Sequence, residues 1–169
     1  MNITFSMVSK DEEEILRNLL EKYNYEFSLY EDTDVNNIGL YGYKYLDHYW
    51  TEDGRVAYFI KVNDKLAGFF MIRDQQDNKS EKIHTIAEFF VMYKYRKIGI
   101  GTYAMEYIFK NFKGKWQIGY TPRNQIAKIF WNKIVGKYTN GKYEIIKDND
   151  KYTYKDGTIG EKLVFEIKE

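Results

Sequence analysis

Apolar and polar residues alternate over 2–8, the period of a half-buried strand, and this stretch reads as an edge strand. The period then changes. Ser9 and Glu12 make a capping box, and behind it Ile15, Leu16, Leu19, Leu20 and Tyr23 fall on one helical stripe. Residues 24–53 mix aromatics with acids and read as a loop followed by a helix over about 40–50. Two short apolar runs in "VAYFIKVNDKLAGFFMI" (56–72) flank Asn63 and Asp64, which both tolerate positive φ, so a β-hairpin is expected. The next stretch, "RDQQDNKSEK", reads as a polar loop.

Residues 83–92 form a long central strand in this reading. Residues 99–112 form a helix with Ile100, Tyr103, Ala104, Tyr107, Ile108 and Phe112 on one face and Gly114 as its stop. "WQIGY" (116–120) is another strand. Pro122 suits a helix's first turn with Thr121 as cap; that helix buries Ala127, Phe130 and Ile134 and ends at Gly136. Strands near 143–147 and 162–168 close the chain. The order β-α-α-β-β-β-α-β-α-β-β implies antiparallel pairing in the hairpin and the final strands and one parallel crossover over 83–120. The expected class is α+β (mixed α/β), a mixed, largely antiparallel sheet of about seven strands flanked by about four helices.

Composition narrows the function classes. A chain of 169 residues suits one domain, 1–169, and 44% hydrophobic with 30% charged residues is ordinary for a globular protein. The net charge of +1 gives no bulk case for nucleic acid. No apolar window is long enough to span a membrane, and the start, "MNITFSMVSKDEEE", lacks the pattern of a signal peptide; a cytoplasmic location is the default expectation. With no cysteine there is no disulfide, thiolate nucleophile or cysteine metal site.

The chemistry concentrates in "FVMYKYRKIGIGTYAMEYIF" (90–109), where a strand gives way to a basic turn, two glycines and a helix. A P-loop needs a longer glycine-bounded loop ending in Lys and then Ser or Thr, and that spacing is absent. Gly99-Ile100-Gly101-Thr102-Tyr103-Ala104 matches the dinucleotide pattern G-x-G-x-x-A. The acidic residue that pattern needs about twenty positions on is missing, since that strand ends Ile118, Gly119, Tyr120, Thr121. The third reading takes Arg96-Lys97-Ile98-Gly99-Ile100-Gly101 as R-x-x-G-x-G. Turn and helix amides then converge on one anion, and each hydrogen bond to a charged group contributes about 1.5–3 kcal/mol.

At these residues the chain resembles the GNAT superfamily of acetyl-CoA-dependent N-acetyltransferases. "VMYKYRKIGIGTYAM" is similar to its V-x-P-x-Y-R-x-x-G-x-G pattern, with Tyr93 in place of the proline, and "NQIAKIFWNKI" resembles its N-x-x-A-x-x-x-Y helix through Asn124 and Ala127. The resemblance implies that acetyl-CoA binds as acyl donor, without metal, between the 83–92 and 116–120 strands, which splay apart in this family. Amides around Val91 and Tyr93 would hold the pantetheine arm. Those of Lys97, Ile98, Gly99, Ile100, Gly101 and Thr102 would hold the pyrophosphate, with Arg96 and Lys97 supplying positive charge. Asn124 would sit near the pantetheine or sulfur end, and amides near Val91 and Met92 would polarise the thioester carbonyl.

Acetyl transfer also needs a base and a leaving thiolate. Glu88 is the candidate base: a carboxylate inside the apolar strand "IAEFFVM" is costly unless paired or used, and burial raises its pKa. It shares a strand face with His84, Ile86, Phe90 and Met92. The family's usual acid is a tyrosine at the position of Trp131, and an indole cannot protonate a thiolate. Tyr120 or Tyr138 could substitute, the thiolate could leave unassisted, or the chain could bind acyl-CoA without turnover. His84 and His48 read as ordinary histidines. Tyr25, Phe27, Tyr30, Tyr41, Tyr43, Tyr45, Tyr49 and Trp50, with Glu26, Glu31, Asp32 and Asp34, suit a cationic acceptor amine. The reading is a single-domain N-acetyltransferase working on a small amine or amino-group acceptor in a ternary complex, with no nucleic-acid or membrane partner and a homodimer left open. A non-catalytic acyl-CoA-binding module is the rival, and a nucleotide-dependent oxidoreductase stands third.

Overall fold

The computed structural model describes residues 1–147, 153–154 and 156–169. Its strands are β1 (Ile3–Met7), β2 (Arg55–Val62), β3 (Lys65–Gln76), β4 (Lys82–Val91), β5 (Gly114–Tyr120), β6 (Tyr143–Lys147) and β7 (Glu161–Ile167). Its helices are α1 (Glu13–Phe27), α2 (His48–Thr51), α3 (Ile100–Asn111) and α4 (Gln125–Thr139). The strands form one seven-stranded sheet in the order β1-β2-β3-β4-β5-β7-β6, with β1 at an edge as its alternation suggests. The pairs β1/β2, β2/β3, β5/β7 and β6/β7 are antiparallel. The β4/β5 pair is parallel, over Ile83–Thr85 and Lys115–Gln117, which is the expected crossover. The mixed class and the element order therefore follow the hydrophobic pattern. Among the described residues no helix is long and apolar enough to cross a membrane.

The chain divides into two compact units, residues 1–73 with 87–104, and residues 74–86 with 105–169. In the first unit the β2–β3 turn is Asn63 and Asp64, at φ 47° and 64°, the left-handed pair a two-residue hairpin needs. The N-terminus clasps this turn, with the Asn2 amide donating to Asn63 Oδ1 at 2.9 Å and the Asn63 amide to Asn2 O at 2.8 Å. The core beneath is Leu16, Leu19 and Leu20 of α1 with Phe59, Phe69, Met71 and Phe90 of the strands. Ile15, expected on the same stripe, is exposed.

The helix expected over about 40–50 is replaced by an irregular segment with a turn at 44–47 and the four-residue α2. Gly39 and Gly42 take φ of 77° and 72°, and Tyr45 takes 60°, which no right-handed helix accommodates. Side chains stand in for helical hydrogen bonds. The Asn36 Oδ1 accepts the amides of Ile38 and Leu40 at 3.0 Å each. The Glu21 carboxylate of α1 accepts those of Tyr41 and Gly42 at 2.9 and 2.7 Å. Buried Leu46 and Tyr49 then anchor the segment to the core. β3 and β4 approach so closely at Gly68 that a Cβ there would stand 2.0 Å from Phe90 O. A register shift in the β2/β3 ladder lies alongside, and Ala67 O accepts the Met92 amide at 2.8 Å.

In the second unit Phe109 meets Trp116 and Phe165 edge-on, at centroid distances of 5.6 and 5.7 Å. The sequence "RDQQ" continues β3 to Gln76 rather than opening a loop, because Gln75 gains a partner in Gln117 Nε2 at 3.1 Å. The true turn is built on Asp77 Oδ1, which accepts the amides of Lys79 and Glu81 at 2.8 Å each. On α3 the buried positions include Met105 and Phe109, whereas Tyr103 is exposed. α4 is capped by Asn124 rather than Thr121, through Asn124 Oδ1 accepting the Ala127 amide at 3.0 Å. It passes through Gly136 and ends at Thr139, where Asn140 turns left-handed at φ 52° and the Gly141 amide returns to Gly136 O at 2.9 Å. Its buried residues are Trp131, Ile134, Val135 and Thr139, while Ala127 and Phe130 are half-buried.

Candidate active site

The glycine turn begins as one 3-10 turn over Tyr93–Tyr95 and an extended Arg96. Lys97 and Gly99 follow at positive φ, 64° and 88°. α3 opens when the Tyr103 amide donates to Gly99 O at 3.1 Å. The amides of Ile100, Gly101 and Thr102 therefore precede the first intrahelical donor, Tyr103, as at any helix start. A Cβ on Gly99 would meet only the Tyr103 ring at 3.7 Å, so its backbone angle, not lack of space, demands glycine. Lys97, Ile98 and Gly99 are exposed, and no carboxylate lies between Lys97 and Thr102. The turn exposes Lys97, Ile98 and Gly99 at the head of a twelve-residue helix, the kind of feature that attracts an anion.

Two expected contributors are engaged elsewhere. The Arg96 guanidinium makes a two-pronged ion pair with Glu26 of α1, Nη1 to Oε1 at 2.7 Å and Nη2 to Oε2 at 2.6 Å. Its Nε donates to Val91 O at 2.6 Å, and it lies over the Tyr93 ring 4.1 Å from the centroid. Arg96 is thus held inside the first unit by Glu26, Val91 and Tyr93, with both terminal nitrogens engaged by the carboxylate. The Met92 amide, expected to polarise a thioester, instead donates to Ala67 O.

Glu88 sits half-buried on β4, where the Tyr43 hydroxyl donates to its Oε1 at 3.1 Å. Desolvation pushes its pKa from 4.5 up to about 7, opposed by hydrogen bonds from Tyr23 and Tyr43 and by Arg73, and assisted by Glu31. Burial likewise raises the carboxyl of Glu31 and, together with the Glu88 charge, the phenols of Tyr23, Tyr43 and Tyr49. Tyr23 packs edge-on against Phe69 and Phe90, both at 5.9 Å, which fixes the wall beside the carboxyl. A carboxyl poised near neutrality among aromatic rings can accept a proton from an ammonium group and shed it again.

In the second unit the Tyr120 hydroxyl donates to Glu161 Oε2 at 2.8 Å and accepts from Asn132 Nδ2 at 2.9 Å. Lys128 Nζ reaches the other Glu161 oxygen at 3.2 Å. Burial, with the Glu161 carboxylate, pushes the Tyr120 phenol up to about 12, which makes it a weaker acid than an ordinary tyrosine and argues for a structural donor. Trp131 is buried against Phe130, edge-on at 4.9 Å. Tyr138 packs on Phe109 at 5.4 Å. His84 is buried, with Nδ1 2.6 Å from Asp74 Oδ1 and Nε2 donating to Lys113 O at 3.0 Å, as befits a core histidine. Among the described residues no group of three metal-binding side chains is present.

Glu21 carries no local signal, and Glu26, expected among the acids of the acceptor side, is instead paired with Arg96. Both occupy the polar side of α1, where acids are normally solvated, and their partners lie 20 to 70 residues away. Tyr23 carries a trace of its role: a hydroxyl on an apolar stripe asks for a partner.

The acetyltransferase (GNAT) family model matches residues 14–136. No curated protein matches the sequence. Among solved structures, an acetyltransferase from Thermus thermophilus superposes with a TM-score of 0.70 at 12% identity, covering 98% of this chain and 97% of that one. Arabidopsis thaliana Naa50, solved with the bisubstrate analogue CoA-Ac-MVNAL, gives 0.66 at 14% identity over 98% and 99%. Arabidopsis thaliana NAA60, solved with acetyl-CoA, gives 0.65 at 13% over 98% and 99%. These likenesses establish the fold, and the match over most of the chain, which takes in the glycine turn and the strand carrying Glu88, makes this protein a member of the GNAT acetyltransferase family.

Proposed function

We propose that this protein is an N-acetyltransferase that uses acetyl-CoA to acetylate a primary amine carried by a cationic small molecule or peptide terminus. The observation that carries the reading is Glu88, a half-buried carboxyl with a pKa near 7 flanked by the Tyr23 and Tyr43 phenols. In the same unit the amides from Lys97 to Thr102 would hold the diphosphate, and the strand end at Val91 and Tyr93 would receive the pantetheine arm. The donor supplies an activated acyl group and a leaving thiolate. Glu88 takes the proton as the amine nitrogen bonds to the carbonyl carbon and the carbon–sulfur bond breaks. With Tyr120 tied to Glu161 and Trp131 in the core, the thiolate leaves without a dedicated acid, which a thiol pKa near 8.5 permits. The bisubstrate analogue solved with Naa50, CoA-Ac-MVNAL, belongs to the same class of chemistry.

Glu31, Tyr30 and Tyr41 supply negative charge and aromatic faces that favour an ammonium group before it is deprotonated. The test is release of free thiol from acetyl-CoA against a panel of polyamines, aminoglycosides, amino acids and peptides. Amine-dependent release is expected. Thiol release only with neutral alcohols sinks the N-acetyltransferase reading, and tight acetyl-CoA binding with no release across the panel favours the non-catalytic module, the reading that Trp131 at the acid position keeps in view.

A further inference from the structure

Glu26 and Arg96 are seventy positions apart, yet they make the two-pronged pair in which both carboxylate oxygens and both terminal guanidinium nitrogens are used. The third nitrogen holds the last carbonyl of β4, Val91 O, and the guanidinium plane lies on Tyr93. The next residue, Lys97, is held at φ 64°, a conformation that non-glycine residues keep only where their surroundings impose it. Arg96 is therefore the point from which the strained turn is hung, and Glu26 fixes where Arg96 sits.

We propose that Glu26 is a positioning residue for the acyl donor: through Arg96 it holds the glycine turn in the shape that presents the amides of Lys97 to Thr102 to a diphosphate, and Arg96 itself does not touch the diphosphate. This rests on the acetyl-CoA reading above. The alternative is simple electrostatics, in which Arg96 serves as a cation for phosphate and Glu26 partly cancels it. The two differ in sign. Removing the Glu26 charge tightens coenzyme A binding if charge alone matters, and weakens it if geometry matters.

The experiment measures coenzyme A binding by calorimetry, and kcat and KM for acetyl-CoA with a responsive amine, on the full chain and on Glu26→Gln, Arg96→Lys and the double variant. The geometric role predicts roughly tenfold weaker coenzyme A binding in each single variant, the scale of losing charge-assisted hydrogen bonds. It also predicts KM raised in parallel with kcat nearly unchanged, and a double variant no worse than either single one, because both break the same brace. Tighter or unchanged binding in Glu26→Gln, wild-type binding in Arg96→Lys, or additive losses overturn it. A folded wild-type protein that ignores coenzyme A altogether removes the acetyl-CoA reading as well, whereas wild-type binding with insensitive variants removes only the brace.

Discussion

Replacing Glu88 with glutamine tests the base and the fold at once. On folding, the Glu88 carboxyl is raised from 4.5 to about 7. The folded chain keeps a proton that the unfolded chain has lost, so ionising Glu88 destabilises the fold. The contribution is nil below about pH 4.5, grows more unfavourable as pH rises towards 7, and levels off above it. At about 1.4 kcal/mol for each tenfold change in proton affinity, and trimmed because the side chain is only half-buried, the cost at pH 8 is about 2–3 kcal/mol. Glutamine never ionises and still accepts from Tyr43. Glu88→Gln is therefore expected to match the wild type near pH 4.5 and exceed its stability by about 1–3 kcal/mol at pH 8. It should also lose about 10²–10⁴ in kcat/KM. Urea denaturation from pH 4.5 to 8, with thiol-release kinetics over the accessible range, reads both. A stability difference that is flat with pH, or that shrinks as pH rises, refutes the desolvated carboxyl. Stabilisation with full activity leaves the desolvation argument standing and removes the base.

Three further outcomes are expected. Gly68→Ala places a Cβ 2.0 Å from Phe90 O, so β3 and β4 must part; thermal melts should show a loss of about 1–3 kcal/mol or more, and an unchanged melting point contradicts the close approach. Tyr43→Phe removes a donor that favours the ionised Glu88, so the inflection of kcat/KM against pH should move above its wild-type position; a downward move contradicts the pairing. Asn124→Ala should cost about 1 kcal/mol as a lost helix cap while leaving coenzyme A affinity within about twofold, and a tenfold affinity loss would return Asn124 to the donor site.

What can be read from the sequence is what short-range periodicity encodes. The Asn63–Asp64 hairpin and the unusual position of Glu88 follow from spacing and burial logic within a dozen residues, and the parallel crossover from the strand–helix–strand order over 83–120. The segment before α2 misleads because its aromatics mimic a helical stripe, while Gly42 and the distant Glu21 carboxylate hold its backbone out of a helix. The partner of Arg96 is hidden for the same reason. The R-x-x-G-x-G spacing places a cation next to the amides, but only the fold brings Glu26 to it. Gly68 gives no signal, since a glycine inside a strand is ambiguous until the neighbouring carbonyl is seen.

α1 holds three different parts of the first unit by residues spaced within two turns. Glu21 ties the segment carrying Tyr43, Tyr23 bonds Glu88, and Glu26 pairs with Arg96 of the turn before α3. An adaptation that re-tilts this helix to admit a bulkier acceptor would loosen the grip on the acyl donor in the same stroke. New acceptor preferences should therefore arise more readily by changes in the 28–47 segment than in α1, and laboratory selection for a different amine can be expected to spare Glu21 and Glu26 while varying the residues between Asn36 and Tyr45.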